Sequence, residues 1–117
     1  MRTAANVVIG IVAALHLYFL VLEMFLWDKP LGRRVFRLTP ELAAATKSLA
    51  ANQGLYNGFL AAGLVWGLSL RGAGSGVTIF FLLCVVIAGV FGALTVNRRI
   101  LWIQALPAAI ALVLLWL

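Results

Sequence analysis

Two ionisable side chains, His16 and Glu23, lie inside an otherwise almost wholly apolar stretch of the sequence, residues 4–27. A charged group near the centre of a bilayer costs about 2.5 to 3.5 kcal/mol even on insertion scales, so such groups usually face a bundle interior and mark a functional site. Their spacing of seven residues puts both on one helix face, about 10 Å apart along the axis. The chemistry that fits such a pair is proton exchange.

Other kinds of site fit the sequence poorly. Two metal ligands on one helix need a spacing of three or four residues, and the chain holds one histidine and one cysteine, so no metal site is predicted. The sequence offers no nucleophile with an adjacent base, no phosphate-binding loop and no pair of neighbouring carboxyl groups, and no cofactor is predicted. Cys84 is predicted to be a packing residue within an apolar span.

The elements that position these side chains are membrane spans. Of the 117 residues 65% are hydrophobic and 10% are charged, against roughly 25% charged in a soluble domain, and the mean hydropathy is +1.13. Four apolar stretches can cross a hydrocarbon core of roughly 30 Å: residues 4–27, 49–70, 77–96 and 100–117. The prediction is an all-α membrane protein, one domain over residues 1–117, folded as a four-transmembrane-helix bundle.

The basic residues predict its orientation. Of nine lysines and arginines, five lie between the first two spans and two between the last two. The positive-inside rule therefore places both of these loops in the cytoplasm and both termini outside. The same distribution, in loops rather than on one continuous face, argues against nucleic-acid binding. The first span is predicted to be retained rather than cleaved, because its apolar region exceeds the usual length of roughly 7 to 15 residues in a signal peptide.

Turn-forming and small residues predict the helix boundaries and the packing. The segment 28–32 should end the first helix, while Thr39 as N-cap and Pro40 as first helical residue should begin a second helix that runs to Leu70. Small residues four apart allow close approach of helix backbones, either within the bundle or across a homodimer seam. These pairs are Gly54 with Gly58, Gly63 with Gly67, Gly89 with Ala93 and Ala88 with Gly92.

Polar side chains within the spans form two layers when their depth is counted from the predicted cytoplasmic ends. A shallow layer, roughly 6 to 9 Å below the inner surface, contains Glu23, Asn52, Gln53 and Gln104, and a layer about 15 to 17 Å deep contains His16 and Asn57. Together they predict a polar cavity in the cytoplasmic half, lined by His16, Glu23, Asn52, Gln53, Asn57 and Gln104. The alternative for the amides and for His16 is an ordinary hydrogen bond between helices. For Glu23 it is an ion pair with Arg33, Arg34 or Arg98.

Several segments also carry a family resemblance: LHLYFLVLEMFLW (15–27), TKSLAANQGLYNGFLAAGLVWGL (46–68), FFLLCVVIAGVFGALTV (80–96) and residues 104–107. Over essentially its whole length the chain resembles the bacterial membrane family catalogued as domain of unknown function 1304, most specifically in NQGLYNG. The resemblance implies a four-helix protein of the bacterial inner membrane and implies no activity. Its polar motifs match this sequence at His16, Glu23, Asn52, Gln53 and Asn57.

Three functions stay open at this point. The first is a cytoplasm-facing pocket for a small cationic or hydrogen-bonding ligand, with Glu23 as counter-charge or proton acceptor; a proton-coupled carrier is one version of it. The second is a membrane isomerase or oxidoreductase acting on a lipid-soluble substrate, with His16 and Glu23 as acid and base. The third is an accessory subunit whose polar residues only lock the bundle. Beyond the bilayer itself, the sequence names neither a ligand nor a protein partner.

Overall fold

A computed structural model describes residues 2–117, and all of the regular secondary structure in this range is helical. The five α-helices are α1 (Arg2–Met24), α2 (Pro30–Phe36), α3 (Pro40–Ser69), α4 (Ser75–Thr95) and α5 (Leu106–Trp116). A 3₁₀ turn, Arg71–Gly74, precedes α4, and a π-helical turn, Leu101–Ala105, precedes α5. The predicted all-α class is confirmed.

Within residues 2–117, two helical stretches are long and apolar enough to cross a membrane: Arg2–Met24, with 23 residues, and Arg71–Thr95, with 25. The apolar stretch Leu101–Trp116 is shorter. The 30-residue α3 is not among these candidates, because its amide side chains, Asn52, Gln53 and Asn57, lower its hydropathy. Length and composition thus support an all-helical chain with two candidate membrane spans.

The chain divides into two compact units, a larger one of residues 2–14 and 60–117 and a smaller one of residues 15–59. The core of the larger unit combines residues from the first half of α1, the second half of α3, α4 and α5: Ala5, Ile9, Val12, Ala13, Leu64, Leu82, Val85, Ala108 and Ala111. Small residues bring its helices together. A methyl group at Gly89 would lie 2.6 Å from the backbone nitrogen of Ala105, and one at Gly63 would overlap the ring of Phe81.

In the smaller unit, α1 ends at Met24, three residues before the predicted limit. The reason is that the next side chains bind α3: the Trp27 indole donates to the Thr46 hydroxyl at 3.0 Å, and Asp28 pairs with Lys47 at 3.0 Å. These contacts draw the chain into a turn where a straight helix would carry both side chains away.

The helix α2 was not predicted. Its seven residues begin at Pro30, which occupies the first helical position, where the missing N–H costs nothing. The helix ends at Phe36, and the C-cap residue Arg37 adopts the left-handed conformation, with φ 56°. The rings of Phe36 and Trp27 pack with centroids 4.8 Å apart. The segment 28–39, predicted to be a loop, is therefore a packed helical connection.

The start of α3 agrees closely with the prediction. The helix begins at Pro40, and the Thr39 hydroxyl accepts the backbone N–H of Leu42 at 3.1 Å, which is the expected N-cap geometry. It ends at Ser69, one residue before the predicted limit. The last predicted span, 100–117, differs in its first turn, since Leu101–Ala105 adopts π-helical rather than α-helical geometry.

Candidate functional site

Glu23 and Asn57 meet in the smaller unit. The Asn57 side-chain Nδ2 donates to Glu23 Oε1 at 2.5 Å, joining the last turn of α1 to α3. Asn57 is buried, with 6% of its surface exposed, and Glu23 is half-buried. The pair is the best-defined polar contact between helices in this unit.

Glycines make this contact geometrically accessible. A Cβ at Gly54 would lie 2.7 Å from Met24 Cγ and 3.1 Å from Glu23 Cβ. At Gly58, one helical turn later, a Cβ would lie 2.7 Å from the Leu20 side chain. The segment NQGLYNG therefore supplies both the side-chain-free surface on which α1 rests and, at Asn57, the amide that reaches the carboxyl group.

His16 lies two turns before Glu23 on the same face of α1. Its side chain is 1% exposed, and its ring packs edge-on against Phe19 with centroids 5.6 Å apart. Seven residues of helix separate it from Glu23 by about 10 Å along the axis. His16 is buried and Glu23 is half-buried, while the prediction that the two side chains line one polar cavity stays a prediction.

The other amides take different positions. Asn52 and Gln53 are exposed, and the Asn52 amide donates to the Tyr56 hydroxyl of the same helix at 3.4 Å. The partner of Glu23 is thus Asn57 of the deeper predicted layer, where equal depth pointed to Asn52 or Gln53. The depth of a residue does not say which way its side chain points around the helix. At about 100° per residue, Asn52 lies roughly 140° around α3 from Asn57 and so cannot face α1 when Asn57 does.

Gln104 belongs to the larger unit. It is half-buried within the π-helical turn, where the sequence predicted a regular helix. Of the six residues expected to line a cavity, the structure joins Glu23 with Asn57, places His16 on the Glu23 face of α1, and leaves Asn52 and Gln53 at the surface.

The predicted ion pair of Glu23 with an arginine is replaced by the bond to Asn57. Within residues 2–117 the salt bridge that the structure contains is Lys47 with Asp28. There the Lys47 ammonium group, hydrogen-bonded to the carboxylate, lowers the pKa of Asp28 below its ordinary value. The surface acid Asp28 therefore pairs with a lysine, whereas Glu23 within α1 accepts a hydrogen bond from an amide.

The segments that form this contact lie within a region that matches a known protein family. A family model described as "Protein of unknown function (DUF1304)" matches residues 10–116, which include His16, Glu23 and Asn57. The chain belongs to the DUF1304 family. A relative, the uncharacterized protein YpaA of Lactococcus lactis subsp. lactis (strain IL1403), is 26% identical over 114 residues, covering 95% of this chain and 96% of that protein. No solved structure matches the chain.

This DUF1304 protein also has a cavity that the sequence did not predict. It lies in the larger unit, has a volume of about 360 Å³ and carries five polar side chains in its lining: Arg2, Asn6, Arg71, Ser75 and Thr78. None of the six predicted site residues lines it. The signal that could have found it is charge, because Arg2 and Arg71 are the two basic residues outside the predicted cytoplasmic loops.

Proposed function

We propose that this DUF1304 protein is a four-span, multi-pass protein of the bacterial inner membrane, with both termini outside, in which Glu23 binds a proton or a small cationic ligand near the cytoplasmic side. Two candidate spans, the shorter apolar stretch Leu101–Trp116 and the 30-residue α3 support the proposal of four crossings. Seven of the nine basic residues lie in the two loops proposed to be cytoplasmic and two lie on the proposed outer side, and this distribution supports the orientation.

One observation carries the proposal: the Glu23 carboxyl group lies in a candidate span with an amide as its hydrogen-bond partner. A carboxylate has about four lone-pair sites. Asn57 fills one of them, and no lysine or arginine within residues 2–117 forms an ion pair with Glu23. A carboxyl group in an apolar helix therefore has acceptor capacity that a proton or a bound cation can use.

His16 gives this site a second proton-binding group. Its backbone lies about 10 Å from that of Glu23 along the same helix face, a separation that a short chain of water molecules can bridge. A proton taken up at one group and released at the other, coupled to ligand exchange at Glu23, describes a proton-coupled carrier. The isomerase or oxidoreductase alternative needs a substrate held between these two side chains, and the cavity of the larger unit is lined by other residues.

The same contact favours one other function, that of an accessory subunit. Gly54 and Gly58 place α3 directly against α1, and the bond from Asn57 to Glu23 then acts as an interhelical lock. In membranes such bonds contribute about 0.6 kcal/mol on average. A lock of this kind requires a hydrogen-bond acceptor at residue 23 and does not require a titratable one.

The experiment compares Glu23→Gln with the matched variant Glu41→Gln, which neutralises an exposed carboxyl group in the first turn of α3. The purified protein in detergent is unfolded thermally over a range of pH and with potassium, guanidinium or tetramethylammonium chloride. A binding site predicts that Glu23→Gln folds and that its melting temperature loses the cation dependence of the parent, while Glu41→Gln retains it. The acid-range pH dependence that arises from Asp28 and Lys47 should persist in both variants.

Two results would contradict the binding site. A stable Glu23→Gln protein that responds to pH and to every cation as the parent does would remove Glu23 from ligand exchange. A destabilised Glu23→Leu protein, together with a Glu23→Gln protein as stable as the parent and no cation response in the parent, would assign the residue to the structural lock.

A further inference from the structure

The cavity of the larger unit is lined by groups that donate hydrogen bonds. It lies where the start of α1 meets the 3₁₀ turn and the start of α4, and its volume is about 360 Å³. We propose that this cavity binds a phosphate group carried by an organic molecule. The proposal concerns residues that the Glu23 site does not use.

Two guanidinium groups dominate the chemistry of the lining. Arg2 and Arg71 both face the cavity, and Arg2 Nη2 lies 3.4 Å from the Ser75 hydroxyl. Planar guanidinium groups bind phosphate oxygens in pairs of parallel hydrogen bonds, which makes arginine the usual residue for this recognition. The cavity therefore has two side chains in its lining that are able to bind a phosphate group.

Uncharged donors complete the lining. Asn6 lies one helical turn after Arg2 on the same face of α1, and Ser75 is the first residue of α4. The Thr78 hydroxyl is buried, with 4% of the residue exposed. Backbone N–H groups at the start of α1 and of α4 add partial positive charge of the kind that favours anions.

Charge balance strengthens the case. The three acidic residues of the chain are Glu23, Asp28 and Glu41, and none of them falls within residues 2–14 or 60–117. The larger unit therefore has no carboxylate side chain to neutralise Arg2 or Arg71. In the proposed topology these arginines lie on the side of the membrane where the positive-inside rule disfavours them, which calls for a specific role.

The apolar part of the lining indicates what the phosphate is attached to. Ile9, Leu68 and Leu115 contribute hydrocarbon surface beside the polar groups. The volume falls in the range of roughly 300 to 1,000 Å³ that small-molecule pockets occupy. A phosphate ester fits this mixture better than an inorganic ion, and either a soluble phosphate ester or the headgroup of a phospholipid can supply it.

The experiment has two arms. In the first, protein in neutral detergent is unfolded thermally with glycerol 3-phosphate or sodium phosphate, against sodium chloride at equal ionic strength. In the second, native mass spectrometry measures lipid retained from nanodiscs of phosphatidylcholine with or without phosphatidylglycerol. Stabilisation by glycerol 3-phosphate beyond that by sodium phosphate identifies a soluble ester. A response confined to phosphatidylglycerol, whose phosphate has no cationic group beside it as that of phosphatidylcholine has, identifies the lipid headgroup.

The variants are Arg2→Gln with Arg71→Gln, Thr78→Val, and the control Arg98→Gln with Arg99→Gln, which removes the same charge from two exposed arginines that do not line the cavity. Each lost charged hydrogen bond should weaken binding about tenfold. Thr78→Val keeps all charges and should weaken binding by a smaller factor. The Arg98 and Arg99 control should bind as the parent does.

Two outcomes overturn the proposal. One is a parent protein that neither phosphate compound stabilises beyond chloride and that retains phosphatidylglycerol no better than phosphatidylcholine. The other is a loss of binding in the Arg98 and Arg99 control as large as in the Arg2 and Arg71 variant, which would mean that net charge alone attracts the anion. If the double arginine variant does not fold, the Thr78→Val result decides between these readings.

Discussion

Asn57 donates its side-chain amide to Glu23 across 34 residues of sequence, and the bond is flanked on α3 by two glycines that touch α1. The close approach and the polar contact therefore depend on each other. Without Gly54 and Gly58 the amide would not reach α1, and without the amide the carboxyl group would lie in apolar surroundings with an unfilled acceptor. Substitution of Asn57 removes the hydrogen bond and substitution of Gly54 or Gly58 adds a steric overlap, and either change should destabilise the protein.

The first prediction concerns the amide. Asn57→Leu should destabilise the protein by about 1 to 3 kcal/mol, because the Glu23 carboxyl group loses its donor while staying half-buried. Chemical unfolding in mixed detergent micelles measures the change. The double variant Asn57→Leu with Glu23→Leu should recover part of the loss, since no polar group is then left without a partner. If the loss in the double variant equals the sum of the losses in Asn57→Leu and Glu23→Leu, the bond contributes nothing.

The second prediction concerns the glycine contact. Gly54→Ala should destabilise the protein by about 1 to 3 kcal/mol, because the added methyl group would lie 2.7 Å from Met24 Cγ and 3.1 Å from Glu23 Cβ. Gly10→Ala is the matched control in α1, where a methyl group meets nothing within 4 Å. That variant should be neutral or more stable by up to about 1 kcal/mol, from helix propensity alone. Indistinguishable melting curves for the two variants would rule out the close contact.

The third prediction is a pH dependence that arises outside the spans. The hydrogen-bonded Lys47 lowers the pKa of Asp28, so the folded state favours the ionised acid. The stability that this pair contributes is complete above the ordinary pKa of aspartate and is lost as pH falls through the lowered pKa of the folded state. Lys47→Gln should therefore flatten the acid limb of the stability curve. A curve for Lys47→Gln that matches the parent would show that the pair is not coupled to folding.

The fourth prediction tests the proposed orientation. In a Cys84→Ala background, Val35→Cys places a thiol on α2, where the side chain is 37% exposed. An impermeant maleimide added outside intact cells should leave it unlabelled and should label it after permeabilisation. Ala73→Cys, in the exposed 3₁₀ turn, is the opposite case and should react from outside. Labelling of the Val35→Cys protein from outside would reverse the topology.

Local chemistry made parts of the fold predictable. Thr39 and Pro40 define the start of α3 because a capping hydroxyl and a proline at the first helical position act through neighbouring backbone groups. The end of α1 depends on Thr46 and Lys47, which lie about twenty residues further along and bind the side chains of the turn. The same proline signal that marked α3 also stands at Pro30, but seven residues are too few to show a helical period.

Two residues of the candidate site could be predicted from the sequence, because placing an ionisable side chain in a membrane costs free energy. His16 and Glu23 stand out in any apolar stretch for this reason. The partner of Glu23 was not predictable from depth, since the rotation of α3 decides which amide faces α1. The arginine-lined cavity combines the ends of separate helices, and residues that far apart in sequence carry no common spacing to detect.

The wide turn at Leu101–Ala105 sets how the last part of the chain tolerates changes in length. A π-helical turn holds one residue more than the α-helical turn it replaces. Removing one residue there would restore a regular helix, whereas removing one residue from α4 would rotate every later side chain by about 100° and turn buried positions to the surface. This segment is therefore the place where a single-residue deletion should be accepted most readily, and where related chains one residue shorter can keep the same helix faces.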